Sequence, residues 1–113
     1  MKYMLFVCAD ESVVLPPGEL AAMPAATEAW VSELEASRVR LLGDRLRPRS
    51  DATTVRVRGA EVLLADGPFA ETKEQIAGFD IIECADLDQA IDVAAKHPVA
   101  RFGTIDVRPF WQQ

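Results

Sequence analysis

Asp66 closes an apolar run and is followed directly by Gly67-Pro68-Phe69. A carboxylate at such a chain reversal has two uses. It can move a proton or anchor a polar ligand at the mouth of a cleft. It can equally accept backbone N–H groups inside the turn, as aspartate does in Asx-turns. Glycine suits position 67 in either case, because proline restricts the residue before it and glycine tolerates φ values that other residues avoid. Glu71, Lys73 and Glu74 follow on the same loop. Such a charge cluster is usually a solvated surface, and its alternative is that Lys73 holds an anionic substrate.

Arg40, Asp106 and Arg108 form a second candidate group. Asp106 and Arg108 alternate in the run Gly103–Arg108, so they share one face of a strand. Arg40 sits among apolar neighbours in VRLLGDRL. A guanidinium matches a carboxylate bidentately, so these residues suit an acidic substrate. They would equally serve as Asp–Arg pairs that join strands or subunits. His97 precedes Pro98 at the end of a helical stretch, where a cation is favoured by the helix dipole. It reads as a C-terminal cap and not as a base. Cys8, Cys84 and His97 are the whole Cys and His complement, with no CxxC spacing. A structural zinc site usually needs four such ligands. Neither a metal nor a cofactor is expected.

The elements that would hold these residues can be read from periodicity. Lys2–Cys8 is apolar on both alternating sets, as in a central strand. Pro16-Pro17-Gly18 marks a loop, and a helix is expected over Glu19–Arg38. Thr27, Trp30, Val31 and Leu34 give that helix its i, i+3, i+4, i+7 face. Pro24 either sits in the first turn of a helix starting near Met23 or breaks a longer one. Val39–Leu46 is a second strand and Arg47–Asp51 a polar loop. Thr53–Arg58 and Glu61–Ala65 form a hairpin around Arg58-Gly59-Ala60. Gly78–Cys84 is a strand. Asp86 caps a helix whose buried stripe is Leu87, Ala90, Ile91 and Ala94. Pro98 ends it, and Gly103–Arg108 is the last strand.

Without the hairpin, the order is β-α-β-β-α-β, the ferredoxin-like pattern of an α+β fold. Two helices cover only one face of a four-stranded sheet. Met4, Phe6 and Cys8 lie on one side of the first strand and Tyr3, Leu5 and Val7 on the other, and two helices cannot bury both sets. A homodimer through the uncovered face is expected. In this order the first strand and Gly78–Cys84 are antiparallel neighbours, which puts Cys8 and Cys84 at opposite ends, about 20 Å apart. A disulfide needs Cα atoms within about 7 Å, so both should be free thiols.

The stretch Asp66–Phe79, DGPFAETKEQIAGF, resembles the signature of the DGPF family, a branch of the YCII-related domain proteins. The likeness extends to the opening MKYMLFV, to TTVRVR, to DLDQAID and to VRPF, so it covers nearly the whole chain. The resemblance implies a ferredoxin-like fold of the dimeric α/β-barrel type with an inserted hairpin. It implies either a small lyase or isomerase that binds a small acidic molecule, or an accessory protein of an extracytoplasmic-function sigma factor. On the first reading Asp66 is the catalytic carboxylate, and Arg40, Lys73, Asp106 and Arg108 bind substrate at a cleft bordered by the DGPF loop. Relatives often carry histidine where this chain has Phe102, so proton transfer here would rest on carboxylates.

Composition fits one domain over 1–113. Half the residues are hydrophobic and 27% are charged. A net charge of −6 and a pI near 4.7 disfavour nucleic acid and anionic membranes as partners. No run approaches the ~18 apolar residues of a membrane span. MKYMLFVCADE meets acid at Asp10 without a small-residue cleavage site, so it does not read as a signal peptide, and a cytoplasmic location is expected.

Overall fold

The computed structural model describes residues 1–112. Strand β1 (Lys2–Asp10) leads to helix α1 (Pro17–Ala36) and strand β2 (Arg40–Arg45). Strands β3 (Thr53–Arg58) and β4 (Glu61–Asp66) follow, then β5 (Glu74–Glu83), α2 (Leu87–Ala95) and β6 (Thr104–Pro109). Four strands form an antiparallel sheet in the order β2-β5-β1-β6, while β3 and β4 pair only with each other. With the hairpin set aside, this is the ferredoxin-like arrangement that the element order predicts.

The alternation in β1 decides which residues make the core. Tyr3 faces Ile82, and Leu5 faces Asp80 and Val107, so these side chains share one face. Helices α1 and α2 cover that face with Trp30, Leu34, Ala90, Val93 and Ala94. Leu5 and Ile82 are fully buried there. The indole N–H of Trp30 donates to the Val93 carbonyl at 3.0 Å and ties the two helices together. The opposite face carries Met4, Phe6 and Cys8 of β1, Phe79 and Ile81 of β5, and Thr104, Asp106 and Arg108 of β6. Its apolar members on β1 and at Phe79 and Ile81 are only half-buried.

Helix α1 begins at Pro17, two residues before the expected start, because proline at the first helical position costs no hydrogen bond. Pro24 neither starts nor breaks the helix. It lies within it and forfeits the bond to the Leu20 carbonyl, on a turn where Leu20 is exposed and water can satisfy that oxygen. The helix ends in a Schellman motif. Arg38 adopts φ 61°, Val39 N–H donates to the Leu34 carbonyl at 2.8 Å, and Arg38 N–H donates to Glu35 at 3.1 Å.

Strand β5 starts at Glu74, four residues earlier than its apolar run suggests. A bulge between Val7 and Cys8 lets the ladder continue through Ile76, Gln75 and Glu74. The buried residues of α2 are Ala90, Val93 and Ala94, whereas Leu87 and Ile91 are half-exposed. The helix packs over β6, the edge strand, so its outer flank has no strand beneath it. Asp86 caps α2 as expected, accepting from Gln89 N–H at 2.9 Å, and the Gln89 side chain returns a bond to Ala85 N–H at 2.7 Å.

Candidate functional site

Residues 67–73 form the loop between the hairpin and β5. Gly67 takes φ 94°, a value glycine adopts without steric cost. Its N–H donates to the Ala52 carbonyl at 2.7 Å, and its carbonyl accepts the Thr54 hydroxyl at 2.8 Å. The amide of Gln75 donates to the Ala70 and Thr72 carbonyls at 3.0 and 3.1 Å, closing the loop on itself. Arg49 adds an external brace. Its Nη1 donates to the Thr72 carbonyl at 3.1 Å, and its backbone N–H is held by the Glu11 carboxylate at 2.9 Å.

These bonds frame a groove of about 690 Å³ between the hairpin base and the end of the sheet. Leu46, Val55, Pro68, Phe69 and Ile76 give it apolar walls, and Cys8 lies on its sheet side. Arg47, Arg49, Asp51 and Glu74 supply charge. Arg47 pairs with Asp51 at 2.9 Å in the open. Glu74 accepts the Thr104 hydroxyl at 2.7 Å. Burial, with Asp106 and Glu74 nearby, pushes the Cys8 thiol above its usual range, so it stays protonated at neutral pH.

The DGPF loop therefore borders the groove through Pro68 and Phe69, but the candidate side chains do not converge there. Asp66 is exposed at the end of β4 and is not part of the groove wall. Its carboxylate takes no hydrogen bond among the described residues, so the turn is held by Gly67 and Thr54 and not by an Asx bond. Lys73 is exposed on the loop and also stands off the groove wall. It lies near Asp10, whose carboxyl is held below its usual range chiefly by the Ser12 side chain. Arg40 lies on the helix-covered face, where its Nε donates to the Asp80 carboxylate at 2.8 Å. Burial raises the Asp80 carboxyl above its usual range, and Arg40 draws it part of the way back. Asp106 and Arg108 pair on the opposite face at 2.6 Å, with the guanidinium 5.5 Å above the Phe6 ring. Arg40 and the Asp106–Arg108 pair are thus separated by the sheet itself.

Sequence reasoning missed the two arginines of the groove. Arg47 and Arg49 alternate with Leu46 and Pro48, and that alternation was the available signal within a segment that otherwise reads as polar loop. His97 also differs from expectation. It is buried, and its Nδ1 accepts the Val99 N–H at 3.0 Å as the N-cap of a following 3-10 turn. Burial lowers its pKa from 6.5 to about 4, so it is neutral and not a cationic cap. Among the described residues no cluster of His, Cys, Asp or Glu could hold a metal ion.

The model of the YCII-related domain matches residues 1–112. The chain belongs to the YCII-related domain family. One relative of this YCII-related chain is an uncharacterized protein of Rhizobium meliloti (strain 1021), 48% identical over 67 residues. That match spans 58% of this chain and 54%, about half, of the relative. A solved structure with a similar fold is 5-chloro-2-hydroxyhydroquinone dehydrochlorinase (TftG) from Burkholderia phenoliruptrix, in complex with 2,5-dihydroxybenzoquinone. The alignment covers 100% of this chain and 96% of that one, with a TM-score of 0.53 and 14% identity. At that identity the likeness concerns the YCII-related fold alone. No helix among the described residues is long and apolar enough to cross a membrane.

Proposed function

We propose that this YCII-related protein binds a small acidic molecule with an apolar, ring-sized body in the groove beneath the DGPF loop. The observation that carries the reading is Arg49. Its guanidinium is fixed on the Thr72 carbonyl at the border of a groove walled by Phe69, Ile76 and Val55. A guanidinium has five N–H donors, and one bond to a carbonyl leaves the rest for a carboxylate or enolate. The net charge of −6 repels anions overall, so capture depends on this local cation.

Glu74 is the carboxylate placed to move a proton in lyase or isomerase chemistry, since it lies in the groove wall with Thr104 orienting it. Asp66 stays outside that arrangement. The half-buried Met4, Phe6, Phe79 and Ile81 favour a second copy over the open sheet face. A dihydroxyquinone, the ligand class of the dehydrochlorinase, is the first member of a test panel that also holds benzoate-type acids. Binding should raise Tm by mass action in a thermal-shift screen. A panel with no shift at millimolar ligand would leave the groove without a function.

A further inference from the structure

Arg47 and Arg49 both line the groove, with only Pro48 between them. Their Cα atoms therefore lie at most about 7 Å apart. The backbone that carries them is held on both sides. Leu46 N–H donates to the Ala77 carbonyl at 2.8 Å, and Arg49 N–H to the Glu11 carboxylate. Pro48 fixes its own φ at −55°, and a 3-10 turn over Arg49–Asp51 follows. That turn is closed by Asp51 N–H on the Pro48 carbonyl and Ala52 N–H on the Arg49 carbonyl. The two side chains thus start from fixed neighbouring points on one wall. Their electrostatic partners differ. Arg49 donates to the Thr72 carbonyl and forms no ion pair among the described residues. Asp10 feels its charge from a distance, but the Asp10 carboxylate bonds to the Ser12 N–H and hydroxyl. Glu74 accepts the Thr104 hydroxyl on the sheet side. Arg47 has a carboxylate of its own, that of Asp51 at 2.9 Å, with side chains 85% and 44% exposed. So open an ion pair contributes little and exchanges readily.

We propose that the groove selects dianions, small ring acids that carry two acidic groups. One group binds Arg49. The other binds Arg47 in exchange for Asp51, whose carboxylate fills a ligand's place on the empty groove wall. This inference rests on the ligand part of the proposed function and names its substrate class more narrowly. The exchange costs little. One carboxylate replaces another on the same guanidinium, and Asp51, already near the surface, turns into water without being buried. The charge balance favours two acidic groups over one. Arg47 and Arg49 are offset in the lining by Asp51 and Glu74, so the resting groove is neutral. With Asp51 turned outward, two cations face the ligand, and Glu74 keeps its Thr104 bond. A ring with a single acidic group has nothing to offer Arg47, and Asp51 then stays in place. At about 690 Å³ the groove has room for a doubly substituted ring.

The test is calorimetric titration of the full chain with benzoate, phthalate and terephthalate at neutral pH. Circular dichroism checks that each variant is folded. Wild type should bind the better dicarboxylate at least ~tenfold more tightly than benzoate. Arg47→Ala should lose that preference, with the dicarboxylate weakened far more than benzoate. Asp51→Asn keeps the shape and removes the internal competitor, so it should strengthen the dicarboxylate more than benzoate. Arg45→Ala removes a nearby cation that does not line the groove, and should leave the preference intact. Equal affinity of wild type for benzoate and both dicarboxylates would overturn the inference and leave the single-acid reading standing. So would a preference that survives Arg47→Ala, or one lost equally in Arg45→Ala. An Asp51→Asn variant that weakens the dicarboxylate would show that Asp51 does not compete for Arg47. Wild type that binds none of the three acids would overturn the proposed function together with this inference.

Discussion

The imidazole of His97 stands edge-on to the indole of Trp30, with ring centroids 4.6 Å apart and planes at 68°. This contact has a titration consequence. The ring is neutral when folded, with a pKa near 4, and would protonate at about 6.5 in the unfolded chain. The unfolded state therefore binds the extra proton first as pH falls. Stability from this group is complete above pH 6.5 and is lost as pH drops toward 4. At 1.36 kcal/mol per pH unit the loss is about 3 kcal/mol. His97→Asn keeps an acceptor for Val99 N–H and removes the titration. In urea melts, the wild-type stability should fall toward the variant's between pH 7 and pH 4.5. Parallel pH dependences of the two proteins would show that His97 is not the titrating group.

Arg38 holds the left-handed position of a Schellman motif with a side chain that such a position penalises. Arg38→Gly should stabilise the protein by about 1 kcal/mol, read as a higher urea midpoint at unchanged slope. A lower midpoint would mean that the arginine contributes an interaction outweighing its backbone strain.

Arg40 and Asp80 form an ion pair within the helix-covered layer, with side chains only 14% and 8% exposed. Gly43 is what makes room for it. A Cβ there would collide with the Asp80 carboxylate, the Arg40 guanidinium and the Phe79 carbonyl. Asp80→Asn should cost about 3 kcal/mol, because it leaves a nearly buried charge without its counterion. Gly43→Ala should cost at least ~2 kcal/mol through the same pair. Losses under about 0.5 kcal/mol in chemical denaturation would place the pair in solvent instead.

The elements that were legible in the sequence are those whose own pattern decides them. The alternation of Tyr3, Leu5 and Val7, the glycine turn at Gly59 and the Asp86 cap each encode local geometry. The start of β5 was not legible, because Glu74, Gln75 and Ile76 rejoin the β1 ladder only past a bulge at Ala77, which breaks the strand's own alternation. The candidate site was legible as a place but not as a set of side chains. The DGPF loop does border the groove. Arg40, however, is turned away from it by a buried aspartate 40 positions along the chain, a partner that no local pattern announces. Arg49 acts through a carbonyl and a distant glutamate in the same way.

Asp66→Asn tests the sequence's first candidate. The side chain is exposed at the end of β4 and off the groove wall. The variant should match wild type in stability within about 0.5 kcal/mol and in ligand affinity. Loss of binding at unchanged stability would restore Asp66 as a site residue.

The Arg49 guanidinium, fixed on the Thr72 carbonyl, is proposed to give the apolar groove its preference for small acids. Calorimetric titration of 2,5-dihydroxybenzoquinone into wild type, Arg49→Ala and Glu74→Gln tests it most directly. Wild type should bind with one site per chain. Arg49→Ala should weaken binding at least ~tenfold, in keeping with about 1.5–3 kcal/mol for a charge-assisted bond. Glu74→Gln should keep the affinity and lose any turnover. Equal affinity in wild type and Arg49→Ala would contradict the account.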